Sequence, residues 1–308
     1  MTLSILKSAT SSTLLFASKS SGDNEMLNSM DGKVVVVKFG GNSIGNEAVF
    51  DALIEDTIEL LKMGVKVIVV HGGGTAVNDA LAAIGKKTEK INGLRVTDSE
   101  TLEIAVKTFM TINESLTEKL RQRGIQSLSF CSNSANPIIT KKMQLEDKDG
   151  KPVDLGWVGE IVKVESASLE SWLWAGWVPI ISPIGRDLEG NYYNINADHA
   201  ALAVATHLQT DALIFCTDVP GVMKDLSDPS TRIGHLTPTD AQKYIDEGTI
   251  SGGMLPKIKS CIGGIQGGID KIAILNSFEP HALLNGFKAP QDHGTLITAD
   301  SVREQVPQ

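Results

Sequence analysis

Disulfides, metal clusters, membrane spans and a basic surface are all missing from this chain of 308 residues. Its three cysteines, Cys131, Cys216 and Cys261, stand far apart and include no Cys-x-x-Cys pair, which excludes a disulfide framework and a thiolate zinc site. The six histidines have no metal-ligand spacing. His71, beside a run of glycines, reads as a hydrogen-bonding residue rather than a ligand. No apolar run approaches the ~20 residues of a membrane helix. The richest, Trp172 to Ile184, is shorter and holds two prolines. Lysine and arginine number 28 against 37 acids, a net charge of −9 that argues against nucleic acid as a partner but leaves room for small anions.

Glycine is plentiful, with 29 residues, and much of it follows short valine-rich runs. Lys33 to Phe39 reads as a buried strand, Glu47 to Lys62 as an amphipathic helix, and Lys66 to His71 as a second strand. A long helix follows, opened by Thr97 and Glu100 in capping-box spacing and closed by Gly124. Residues from about Ile138 to Val164 alternate around "EDKDGKP" and read as an antiparallel hairpin region inserted in the sheet. The αβ rhythm then resumes with helix Ser168 to Ala175, strand Val178 to Ile181, helix Ala197 to Leu208 and strand Ala212 to Cys216. It ends with helices Thr239 to Glu247 and Leu255 to Gly264 and strand Lys271 to Leu275. This order predicts an α/β fold, a three-layer α/β/α sandwich with a mainly parallel central sheet in two lobes, 31–185 and 186–308. Residues 1–30 are rich in Ser and Thr, with no acid before Asp23, and read as a flexible or targeting segment. A cytoplasmic location is expected, or the plastid or mitochondrial matrix if that segment is a transit peptide.

Two glycine runs fall at strand ends, where ligands bind in such sheets. "VKFGGNSIGN" places Lys38 before Gly40 and Gly41, which either form a tight turn or bring backbone amides to a phosphate. "VVHGGGTAV" sets Gly72, Gly73 and Gly74 at a helix N-terminus, where N–H groups and the dipole favour an anion. Neither run is a Walker A loop, since Asn46 and Glu47 stand where Lys and Ser/Thr belong, and Val77 breaks the dinucleotide fingerprint. Arg95, in "NGLRVTD", suits a carboxylate clamp or a surface ion pair. "YYNINAD" places Asn194, Asn196 and Asp198 at a strand-to-helix junction, where Asp198 alone would read as a helix cap. Lys257 lies in the first turn of its helix, an unfavourable place for a cation unless an anion offsets it.

Taken together, "KFGG", "VVHGGG", "NGLRVTD", "GWVGEI", "YNINAD", "TDVPGV" and "SGGMLPK" resemble the amino-acid kinase family in order and spacing, over residues 33 to 298. The resemblance implies ATP-dependent phosphorylation of the side-chain carboxylate of N-acetyl-L-glutamate, an acyl phosphate made for arginine biosynthesis. It implies that Lys38 and Lys257 stabilise the transferring phosphoryl group, that Asp198 orients both lysines, and that the Gly41 and Gly74 amides face that group. It places the acyl amino acid on Gly73, Gly74, Arg95 and Asn194. The nucleotide would lie along Thr217, Asp218, Val219, Gly221, Val222, Gly252, Gly253 and Met254, with Mg²⁺ carried mainly by its phosphates.

The chain departs from the family pattern at "FCSNSANPI" (Phe130 to Ile138), at Glu114, where a lysine is usual, and at Asn285, where arginine-inhibited members carry an acid. A homodimer is therefore expected rather than an arginine-inhibited hexamer. The rival readings are a kinase of another N-blocked or free acidic amino acid, and a catalytically silent amino-acid sensor on the same fold. Retention of Lys38 and Lys257 speaks against the sensor.

Overall fold

A computed structural model describes residues 30–132, 135–147, 149–225 and 227–300. The segment read as flexible or targeting lies, up to residue 29, outside the described residues. The strands are β1 (Val34–Phe39), β2 (Lys66–His71), β3 (Lys90–Ile91), β4 (Leu94–Arg95), β5 (Ser127–Phe130), β6 (Ile138–Lys142), β7 (Leu145–Glu146) and β8 (Pro152–Val153). They continue as β9 (Gly159–Val164), β10 (Val178–Ile181), β11 (Ile184–Arg186), β12 (Tyr192–Asn194), β13 (Ala212–Thr217), β14 (His235–Leu236), β15 (Lys271–Asn276) and β16 (Gly294–Thr298). The helices are α1 (Gly41–Gly45), α2 (Glu47–Lys62), α3 (Gly74–Ala83), α4 (Ser99–Gln122), α5 (Ser166–Trp174), α6 (Ala197–His207), α7 (Pro238–Asp246), α8 (Met254–Gln266), α9 (Ala282–Lys288) and α10 (Pro290–His293).

The central sheet has eight strands in the order β14-β16-β15-β13-β1-β2-β10-β5. Neighbours are parallel except β15 and β16, so β14 and β16 run against the rest. Strand β1 lies between β2 and β13, and the loops after all three therefore emerge side by side at one edge. Side-chain alternation along β1 divides the core in two. Val35, Val37 and Phe39 pack with residues of α2, α3 and α4. Val36 faces the opposite layer, with Ala200, Ala201 and Val204 of α6 and Ile258 and Cys261 of α8. Helices thus cover both faces, the expected three-layer arrangement. Lys38, two residues beyond Val36, shares its face and is directed at the layer of α6 and α8.

Two expectations are corrected. The residues from Ile138 to Val164 do contain an antiparallel pair, β6 with β9, but it does not join the central sheet. It forms a second sheet in the order β12-β11-β6-β9. Close backbone approach holds this small sheet together: a Cβ on Gly185 would lie 2.1 Å from Cγ2 of Thr140, and one on Gly159 would lie 2.7 Å from Cβ of Tyr193. The long helix α4 is capped by Asp98, whose side chain accepts from the Thr101 N–H at 2.8 Å, and not by Thr97. Lys86 pairs with Asp98 at 2.6 Å and Glu100 at 2.8 Å and pins this helix start. Thr97 is left free for other work, since its hydroxyl donates to the Arg95 carbonyl at 2.8 Å and accepts from Asn194 Nδ2 at 3.1 Å.

Candidate active site

Three charged side chains from three separate elements meet at the strand ends. Asp198 stands in the first turn of α6, where Asn196 is the cap and accepts from the N–H groups of Asp198 at 2.8 Å and His199 at 3.3 Å. The Asp198 carboxylate is therefore not consumed in capping. Its Oδ1 lies 2.9 Å from Lys38 Nζ, and its Oδ2 accepts from Lys257 Nζ. Burial alone would raise the pKa of Asp198, but the two ammonium groups outweigh it and hold the carboxyl well below the usual carboxylate range. The anion that offsets Lys257 at its helix N-terminus is thus, in this structure, Asp198 itself. Lys257 Nζ also sits 4.7 Å from the centre of the Phe215 ring, which limits where the ammonium can swing.

The two glycine loops face each other across this trio. A Cβ on Gly41 would lie 3.4 Å from the Gly74 nitrogen and 3.6 Å from the Gly73 nitrogen, and one on Gly72 would lie 3.4 Å from the Gly41 nitrogen. A Cβ on Gly73 would sit 2.7 Å from Ile112 Cδ1 and 2.9 Å from Phe109 Cε1. At Gly73 a Cβ would therefore force Ile112 and Phe109 to shift, whereas at Gly41 and Gly72 it would fill the space between the loops. Backbone N–H groups at the starts of α1 and α3 have no carbonyl within their own helices to donate to, so they form a ready anion cradle beside the lysines.

Two cavities meet here. The smaller, about 220 Å³, is lined by Gly72, Gly73, Arg95, Phe109, Asn194 and Asp198 among others. Arg95, carried by the β3–β4 hairpin, donates to the Gly74 carbonyl and to the Thr88 hydroxyl, each at 3.0 Å. Burial draws its pKa below the ordinary arginine value, a cost that a bound carboxylate would relieve. Asn194 is held by its own N–H, which donates to the Trp157 carbonyl at 2.9 Å, and by its side chain on Thr97. The larger cavity, about 590 Å³, is lined by Gly40 to Ser43, by Thr217, Asp218, Val219 and Val222, and by Thr249 to Met254 with Lys257. Along it Asp218 accepts from Asn42 Nδ2 at 2.7 Å, and Asn42 accepts from the Thr75 hydroxyl at 2.9 Å. Lys38, Gly41, Gly74 and Lys90 line both cavities.

Every residue given a catalytic, substrate-binding or nucleotide-binding role in the sequence lines one of these cavities except Gly221, which lines neither. Gly221 has φ +131°, and a Cβ there would meet Thr295 Oγ1 at 2.6 Å, so it shapes the loop from below. Sequence reasoning missed Lys90 and the apolar walls Phe109, Val158 and Pro183. Lys90 was findable, because it sits opposite Arg95 in the hairpin and so shares its face.

A model of the amino acid kinase family matches residues 33–276, and the chain belongs to that family. Among its relatives, an acetylglutamate kinase of Methanocaldococcus jannaschii is 38% identical over 274 residues, 87% of this chain and 91% of the relative. One of Halothermothrix orenii is 36% identical over 267 residues, 86% of this chain and 91% of the relative. A solved N-acetylglutamate synthase of Neisseria gonorrhoeae, complexed with coenzyme A and N-acetyl-glutamate, superposes with a TM-score of 0.79 at 23% identity. That match covers 90% of this chain and 62% of the synthase, and at this identity it speaks for the fold alone.

Behind the cradle His71 is fully buried, and burial pushes its pKa down to about 4. His199 in α6 is also lowered by burial. An imidazole with a depressed folded-state pKa stabilises the fold fully above its unfolded value of about 6.5, and that stability is lost as pH falls toward the folded pKa. The unfolding free energy measured in urea is therefore expected to fall between pH 6.5 and 4. A flat profile across that window would contradict a buried neutral ring at His71.

Proposed function

We propose that this protein transfers the γ-phosphoryl group of ATP to the side-chain carboxylate of N-acetyl-L-glutamate. The observation that carries the reading is the Lys38–Asp198–Lys257 trio standing where two cavities of different character meet. The smaller cavity, with Arg95 and Asn194, suits an acylated amino acid. Arg95 clamps its α-carboxylate, and the Asn194 amide serves the acetyl-amide end. The larger, half-apolar cavity takes the nucleotide, along Thr217 to Val222 and Gly252 to Met254. The acyl-amino-acid lobe is accordingly 31–185 and the nucleotide lobe 186–308. Asn194 to Asp198 and Gly40 to Ser43 reach across that boundary.

The acceptor carboxylate, with a reference pKa of about 4.3, is already ionised at neutral pH and needs no base. One of its oxygens attacks the γ-phosphorus as the bond from that phosphorus to the bridging oxygen of ADP breaks. Negative charge grows on the equatorial and leaving oxygens. Lys38, Lys257 and the amides of Gly41 and Gly74 meet that charge, while Asp198 holds the ammonium groups in place. Among the described residues no three metal-ligating side chains cluster, and Asp198 is occupied by two lysines. Mg²⁺ would thus ride on the phosphates, with Asp218 the carboxylate available to its water shell. Bound there, the ion neutralises phosphate charge.

A homodimer accompanies this reading. Strand β5 ends the central sheet with one edge unpaired among the described strands, a surface that a second copy can cover. No helix among the described residues is long and apolar enough to cross a membrane.

Purified protein with Mg-ATP and hydroxylamine should yield hydroxamate from N-acetyl-L-glutamate and not from glutamate, N-acetylaspartate or aminoadipate. Hydroxamate from another of these acids moves the substrate, and none from a folded, ATP-binding protein favours the silent sensor. Lys257→Ala should lower turnover by ~10²-fold or more, the scale of losing one oriented transition-state donor. Near-normal turnover in the folded variant would remove Lys257 from the mechanism. Sedimentation equilibrium should give about twice the 32.9 kDa of one chain, and a monomer throughout the micromolar range would reject the dimer.

A further inference from the structure

The cradle's donors include the N–H groups of Gly73 and Gly74, in a run of three glycines, the residue type with the greatest conformational freedom, while the Gly72 N–H donates to the Phe39 carbonyl at 2.8 Å. Something must fix which way each peptide faces. Because a trans peptide is planar, the C=O of one residue and the N–H of the next point in opposite directions. Holding a carbonyl on one side therefore aims the following N–H to the other. The Gly73 carbonyl accepts from the Val77 N–H at 2.9 Å, which aims the Gly74 N–H. The Gly74 carbonyl accepts from Arg95 at 3.0 Å. The Gly72 carbonyl meets Nδ1 of His71 at 2.7 Å, and this contact aims the Gly73 N–H.

His71 is well placed for that task. Its ring is fully buried at the end of β2, with the Phe109 ring centre 6.0 Å away, and its Nε2 lies 2.5 Å from Oδ1 of Asn113 in α4. Both neighbours of the ring are oxygens as placed. A carbonyl can only accept, so the single N–H of a neutral imidazole belongs on Nδ1, toward Gly72. The Asn113 amide can turn over to offer its NH₂ to Nε2 and accept from Ser129 Oγ, now 2.8 Å from its nitrogen; the turn gives up the longer bond, 3.2 Å, from that nitrogen to the Phe130 carbonyl and keeps the 2.7 Å contact of Nδ1 with Gly72.

We infer that His71 is a positioning residue of the phosphoryl cradle: as the Nδ1–H tautomer, steadied by Asn113, it locks the Gly72 carbonyl and thereby turns the Gly73 N–H onto the acceptor carboxylate, beside the Gly74 N–H that meets the transferring group. This rests on the phosphotransferase reading only for its kinetic consequence. The latch is a statement about the ring itself.

The experiment joins a variant series to a spectrum. An asparagine side chain can place an amide nitrogen where imidazole Nδ1 stands, glutamine reaches the Nε2 position, and leucine offers neither. His71→Asn should keep kcat within about threefold of the parent, whereas His71→Gln and His71→Leu should lose ~10–10²-fold, the scale of a slightly misplaced catalytic group. KM for ATP should change by less than about threefold in all three, because Gly73 lines the acyl-acid cavity and not the nucleotide cavity. In the parent protein, ¹⁵N-imidazole NMR at pH 7 should show one neutral histidine protonated at Nδ1 and slow to exchange, absent from the His71→Asn spectrum. Equal losses in the Asn and Gln variants, a loss confined to KM or to the melting temperature, or an Nε2–H tautomer for this ring would each overturn the assignment. Should the variants fail to fold, the parent's tautomer decides. A parent protein without kinase activity but with the Nδ1–H signature would fail the functional reading and leave the latch standing.

Discussion

The site depends on one carboxylate shared by two ammonium groups that arrive from opposite halves of the chain. Lys38 comes from the strand at the middle of the sheet and Lys257 from the start of a helix more than two hundred residues later. Without Asp198 between them, two like charges in a half-buried space would repel and splay. With it they stand together, oriented and still one positive charge in excess. That surplus is what a site for anions requires, and the carboxylate is held ionised by the lysines it organises.

The fold brings this about by alternation and order. Central placement of β1 puts its loop between those of β2 and β13, and the two-residue period of β1 directs Lys38 to the layer in which α6 and α8 pack. The second sheet then brings Asn194 over the smaller cavity through a short bridge between Val158 and Asn194. Scaffold and chemistry are thus separable: valine and isoleucine build the platform, and glycine, lysine and aspartate occupy its rim.

Much of this was legible in the amino-acid order. Strands such as Val178–Ile181 and the glycine runs announce themselves through apolar runs and backbone freedom, which are local properties. The lysine and aspartate roles came from motif resemblance, and their meeting is a long-range fact that no local pattern contains. Two things were misread for physical reasons. Thr97 has the spacing of a capping box, but Asp98 takes the cap because its carboxylate is also fixed by Lys86. The hairpin region alternates like any half-buried sheet, and alternation does not say which sheet a strand will join. Lys90 escaped notice because it is exposed and unremarkable until the hairpin sets it beside Arg95.

The glycine cradle has a consequence for how such a protein can vary. Peptide N–H groups do not titrate over the range in which proteins stay folded, and no side-chain substitution deletes them. Exchange at Gly41 or Gly73 can only add atoms, and at Gly73 those atoms collide with Phe109 and Ile112. Change is therefore channelled outward, to Arg95, Asn194 and the walls of the smaller cavity. Lineages built on this frame can exchange one acid for another there while the handling of the phosphoryl group stays as it is.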